Sequence, residues 1–175
     1  MSVMPEMPGE SAEDRIVLIG VGDEYRHDDG AAVAVLAELA ADRLPADRIA
    51  LSDGEPSRLI ELWEGAGLAV VVDAVHSHPA EPGRLHQVRV SPDDPGGAMA
   101  ESHAADSHGL GLGEAVGLAA VLGRLPRELL IVAVEGADFT EGEGLSQDVA
   151  AAVPRAADLV RQAVAEHLAW RDGPA

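Results

Sequence analysis

The 175-residue chain contains no cysteine and no lysine. Without cysteine there is no disulfide, no thiolate nucleophile and no sulfur-rich metal site. Without lysine, a phosphate loop ending in Gly-Lys-Ser/Thr has no centre. Aromatic residues make up 2% of the chain, so the core has to be built from Val, Leu, Ile and Ala. Positive charge is scarce as well: 12 basic residues, all arginine, stand against 31 Asp and Glu, for a formal charge of −19. So acidic a surface repels phosphate backbones and anionic lipid heads, which argues against nucleic-acid or membrane partners. No apolar run approaches the ~20 residues of a membrane span. The opening MSVMPEMPGESAED lacks the basic-then-apolar layout of a signal peptide. The cytoplasm is the expected compartment.

What is present is an apolar content of 47%, too high for a disordered chain, in a length that suits one domain. Residues 1–14, with two prolines and no apolar periodicity, read as a flexible leader, residues 15–170 as a single α/β domain, and residues 171–175 as a short tail. RIVLIGVG from Arg15, LAVVVDAV (68–75) and ELLIVAVEG (128–136) are short continuous apolar runs, the pattern of strands buried on both faces. DRIALSD is a weaker strand candidate, and RLHQVRV (84–90) alternates as a half-exposed strand does. Helices are expected over residues 31–44, over 56–67 with a proline start and glycine stop, and over LGLGEAVGLAAVLGRL. A last helix capped by Ser146 should be kinked or split by Pro154. Residues 91–107 are too rich in Pro, Gly, Asp and Ser for a regular element and read as a long loop that is mobile until substrate binds. Apolar strands alternating with helices imply a mostly parallel sheet of about five strands with helices on both faces, a three-layer α/β fold. In such sheets ligands bind at the carboxyl ends of the strands.

The first strand ends in GVGDEYRHDDG (20–30). A dinucleotide fingerprint needs glycine where this chain has Tyr25, which argues against NAD. Asp28 and Asp29 follow just before a helix, where acids serve as caps or as a functional pair. Asp73 ends a wholly apolar strand, an expensive place for a carboxylate that is not exposed, paired or bound to metal. His76 and His78 share a face only if that strand continues, and Pro79 follows at once. His103 and His108 lie in or just after the long loop, and His108 precedes a helix whose positive end would depress its basicity. Glu135, at another strand end, reads either as support for the site or as a solvated surface acid. No G-x-S-x-G elbow for a serine mechanism occurs. Asp29, Asp73 and His108 together suit an open site for a divalent transition metal, although spacing alone does not select them.

GVGDEYRHDDG, then VVVDAV with Pro-Gly soon after, then SHGLGLGEAVGLAAVLGRLP, then VAVEGADFTEGEGLSQDV resemble the four signature blocks of the hydrogenase maturation proteases. The resemblance runs in order over about residues 15–165. It implies a parallel-rich α/β fold and an endopeptidase that trims the C-terminus of a nickel-iron hydrogenase large subunit precursor. It also implies that Asp29, Asp73 and His108 are the metal-contacting, catalytic set. The nickel would be substrate-borne, recognised after its insertion into the precursor, with no tightly held metal of the protein's own. Asp23 departs from the family's usual asparagine after the second glycine and adds a negative charge there. A small-molecule hydrolase with its own metal and a non-catalytic module for a metallated partner are the alternatives.

Overall fold

The computed structural model describes residues 14–95, 105–106 and 110–173. The described elements are β1 (Ile16–Val21), a 3-10 turn (His27–Gly30), α1 (Ala31–Ala41), β2 (Arg48–Ser52), α2 (Pro56–Trp63), β3 (Leu68–Ser77), β4 (Leu85–Val90), β5 (Ala105–Asp106), α3 (Leu110–Leu122), β6 (Glu128–Glu135) and α4 (Gln147–Arg171). The sheet order is β2-β1-β3-β6-β4. The first four strands are parallel and β4 runs antiparallel at one edge. The α/β expectation holds, with the mostly parallel sheet and helices on both faces.

Period-two alternation in the apolar strands divides the core in two. Leu18, Val70, Val72, Val132 and their neighbours pack against α1 and α4. Val17, Ile19, Val71, Leu129 and Ile131 pack against α2 and α3. Each central strand therefore needs apolar residues at every position, which is why the strands read as unbroken runs. The largest fully buried side chain is Trp63, at the end of α2.

Three local expectations need correction. Pro154 does not split the last helix into two elements: α4 is continuous for 25 residues. Pro154 and Ala150, whose carbonyl loses its partner, both lie on the exposed side, where water can take that carbonyl. The buried stripe Val149, Ala152, Val153, Ala156, Ala157 and Val160 holds both halves of the helix to the sheet. Ser146 stands at the N-cap without a capping side-chain bond, its hydroxyl being used elsewhere. Within the segment read as a long loop, Ala105 and Asp106 form a short strand antiparallel to His76 and Ser77, so β3 extends past Val75. The remainder of that segment beyond residue 95 lies outside the described residues.

The chain leaves β1 through α1 on one face and returns from β2 to β3 through α2 on the other. The carboxyl ends of β1 and β3 thus form the topological switch point, where a crevice opens in sheets of this kind. Val21 and Asp73 are register partners at that place.

Candidate active site

The crevice is shaped first by a glycine. Gly22 has φ +140°, and a Cβ there would lie 2.0 Å from the backbone oxygen of Asp29, so no other residue lets the chain pass this closely. The Gly22 N–H donates to the carbonyl of Ser52 (3.2 Å), tying the turn to the end of β2. The Asp23 N–H donates to Asp29 Oδ2 at 3.0 Å. The Asp23 carboxylate accepts from the Tyr25 N–H at 2.9 Å, an Asx turn that asparagine could also make. Asp23 therefore adds charge near Asp29 while its Oδ1 serves its own turn.

Asp28 and Asp29, adjacent in sequence, have different tasks. Asp28 is fully buried. Its Oδ2 accepts from the N–H groups of Ala137 (2.7 Å) and Asp138 (2.9 Å) and from the Ser146 hydroxyl (2.9 Å), and its Oδ1 accepts from the Ser146 N–H (2.7 Å). Burial pushes this carboxyl up, but the bonds from Ser146, Asp138 and Ala137 together outweigh it and hold the group below the usual carboxylate range. Neither acid caps α1, whose N-cap position is Gly30. Asp28 is a clasp that folds residues 136–146 over the end of the sheet.

Asp73 does not end its strand, because β3 runs on to Ser77; it lies inside β3 opposite Val21, the last residue of β1, and is 3% exposed. Burial first, and the negative charge of Asp29 second, push its carboxyl up to about 8, with a backbone hydrogen bond from Ala74 offsetting part of the rise. The charge of Asp29, from the turn before α1, thus reaches Asp73 across the switch point. The anionic pair is disfavoured until something positive joins it.

The structure brings together Asp29 and Asp73 of the three expected residues. His108 and His103 lie outside the described residues, and α3 begins at Leu110. Among the described residues no group of three or more His, Asp or Glu is placed to hold a metal ion. His76 occupies the α1/α4 side of β3, opposite Asp73, by strand alternation. Its ring stacks on Phe139 at 5.3 Å and lies 4.7 Å from that of His78. Glu135 is 3% exposed rather than solvated. It accepts from the Glu81 N–H (2.7 Å) and bonds His86 Nε2 (2.6 Å), holding the loop between β3 and β4. Burial raises its carboxyl, and the bonds from Glu81 and His86 bring it below its ordinary value. Sequence reasoning missed His86 and the clasp role of Asp28, because their partners lie 49 to 118 residues away along the chain.

A family model for hydrogenase maturation protease matches residues 33–163, three-quarters of the chain, starting just beyond Asp29 and including Asp73 and His108. The chain belongs to the hydrogenase maturation protease family. It is 29% identical over 163 residues to the hydrogenase expression/formation protein HupD of Bradyrhizobium diazoefficiens, covering 91% of this chain and 83% of that one. The hydrogenase maturating endopeptidase HybD of E. coli superposes with a TM-score of 0.67 at 24% identity, over 87% of this chain and 93% of that chain. A hydrogenase 2 maturation peptidase from a Thaumarchaeota archaeon does so at 0.63 and 25% identity, over 86% and 97%. A hydrogenase maturation protease is an endopeptidase, so this chain is an enzyme and cleaves peptide bonds. Among the described residues no helix is long and apolar enough to cross a membrane.

Proposed function

We propose that this protein removes the C-terminal extension of a nickel-iron hydrogenase large subunit precursor after nickel insertion, acting in the cytoplasm. The observation that carries the reading is the convergence of Asp29 and Asp73 at the switch point of a hydrogenase maturation protease fold. In this reading the nickel is part of the substrate. Asp29, Asp73 and His108 complete its coordination and so place the neighbouring peptide bond.

The chemistry of the donor set supports a borrowed rather than a resident ion. Two carboxylates and one imidazole are a weak set for nickel, which prefers sites with more nitrogen and sulfur, and this chain has no thiolate to add. Burial of Asp73 beside Asp29 gives the pair a reason to take up a cation when one arrives. The large subunit's own ligands would supply the rest of the affinity. The test pairs nickel-free with nickel-loaded precursor, each given metal-stripped enzyme. Only the loaded form should be shortened, as seen by mass spectrometry. Efficient cleavage of the nickel-free precursor would refute nickel recognition, and failure to cleave either would refute the substrate.

A further inference from the structure

We propose that the outer face of α3, formed by Gly117, Leu118, Val121 and Leu122, is the surface on which the body of the precursor docks. The inference rests on the substrate assigned above. A helix on the outside of an α/β sheet ordinarily has one apolar stripe, facing inward. α2 follows that rule: Leu59, Ile60, Leu62 and Trp63 are buried, and Arg58 and Glu61 form an ion pair on the outside. α3 lies beside it on the same face of the sheet and breaks the rule. Its inner side, with Leu112, Ala115, Val116 and Ala119, is buried in the core. Its outer side leaves Leu118 45%, Val121 84% and Leu122 53% exposed. These positions are spaced i, i+3, i+4, so they form one continuous stripe. Gly117 deepens it, since a Cβ there would meet nothing within 4 Å.

Two observations say what covers this stripe. The first is its continuity with the site. A Cβ on Gly111, in the first turn of α3, would lie 2.4 Å from the carbonyl oxygen of Gly54, just after β2. At the other end of the helix, Arg124 binds Glu64 at the end of α2, so α3 runs from the site's edge of the sheet to the opposite edge. The stripe lies about 12–18 Å along that axis. A protein whose tail reaches the crevice can rest its body there. The second is charge. A second copy of this chain would bring a second whole-chain charge of −19 into the complex, and that repulsion opposes self-association. The exposed Glu114, one turn before Leu118 on the same helix, instead suits a partner with an apolar centre and a basic rim.

The experiment compares Val121→Asp and Val121→Arg with wild type on nickel-loaded precursor, with melting temperature and light scattering measured on each enzyme. Both variants should melt as wild type does and raise KM at least about tenfold, with kcat within about twofold, as expected for loss of a docking contact. Unchanged KM in both variants would overturn the proposal, as would a gain for Val121→Arg, which would make the contact one of charge alone. A large fall in melting temperature would show the stripe to be covered by the chain itself. A wild-type dimer that Val121→Asp dissolves would assign the stripe to a second copy. Either result would also overturn the proposal. If wild type itself leaves the loaded precursor intact, the substrate assignment fails and the docking surface falls with it; intact cleavage by all three enzymes removes the docking surface alone.

Discussion

Asp28 and Asp73 are both buried carboxylates at the same end of the same sheet, and the protein treats them in opposite ways. Asp28 receives four hydrogen bonds and is held as an anion. Asp73 is buried beside another carboxylate, and its anion is opposed. The first arrangement stabilises the fold, because a buried charge with its acceptor sites filled has recovered what it lost in leaving water. The second makes ionisation costly in the native state, through burial first and the charge of Asp29 second. The two acids should therefore respond in opposite ways to substitution and to pH.

The largest effect should come from breaking the functional side. Asp29→Asn and Asp73→Asn should each reduce cleavage of nickel-loaded precursor by about 100-fold or more, the scale of losing a contact that positions or polarises the reacting centre. Circular dichroism and melting should show both variants folded, with Asp73→Asn at least as stable as wild type at neutral pH. A melting temperature well below wild type would make Asp73 a structural acid and erase the contrast.

Breaking the clasp should give the reverse pattern. Asp28→Ala leaves the N–H groups of Ala137, Asp138 and Ser146 without their acceptor. It should cost about 2–4 kcal/mol in denaturant unfolding, since each buried group so orphaned costs about 1–3 kcal/mol. Activity should fall with the folded fraction and return under stabilising conditions.

The pH dependences should also oppose each other. The native Asp73 carboxyl titrates at about 8, above its unfolded value, so between about pH 4 and pH 8 the unfolded chain releases a proton that the native state keeps. Its contribution to stability is full below pH 4 and is lost as pH rises, at up to about 1.4 kcal/mol per pH unit. Asp73→Asn should flatten that fall, and Asp29→Asn should shift it to lower pH by removing the neighbouring charge. Asp28 is depressed below its unfolded value, so its contribution is present above about pH 4 and is lost as pH falls through the lower native value. Melting temperatures of wild type and the three variants from pH 3 to pH 9 would check both signs.

The smallest change sharpens the comparison within the clasp. Ser146→Ala removes the hydroxyl bond to Asp28 and keeps the backbone one. A loss of about 1 kcal/mol is expected, typical of one hydrogen bond, with no effect on kcat. Equilibrium unfolding would measure it, and a loss as large as that of Asp28→Ala would mean the hydroxyl is the main support of the clasp.

Much of the architecture was legible because it depends on local pattern. Short continuous apolar runs suit strands covered on both faces, and their alternation with helices favours parallel pairing, so the layers follow from residue order, whereas the strand order and its switch point belong to the folded sheet. Asp73 was visible for the same reason, as a charge inside such a run, although the strand continues to Ser77 rather than ending there. Residue pattern did not separate the adjacent acids Asp28 and Asp29, which only the family resemblance told apart; the fold gives the physical reason, since a turn of 3-10 helix sends Asp28 into the loop of residues 136–146 and leaves the charge of Asp29 near Asp73. The fold also let the helix run through Pro154, by placing that residue on the outer side of a helix whose inner stripe is held by the sheet. Glu135 became a buried clasp only when β4 returned antiparallel beside β6 and brought His86 to it. Secondary structure is set by the order of apolar and polar residues along the chain, whereas the ionisation of a buried acid is set by groups scores of residues away, whose approach exists only in the folded state.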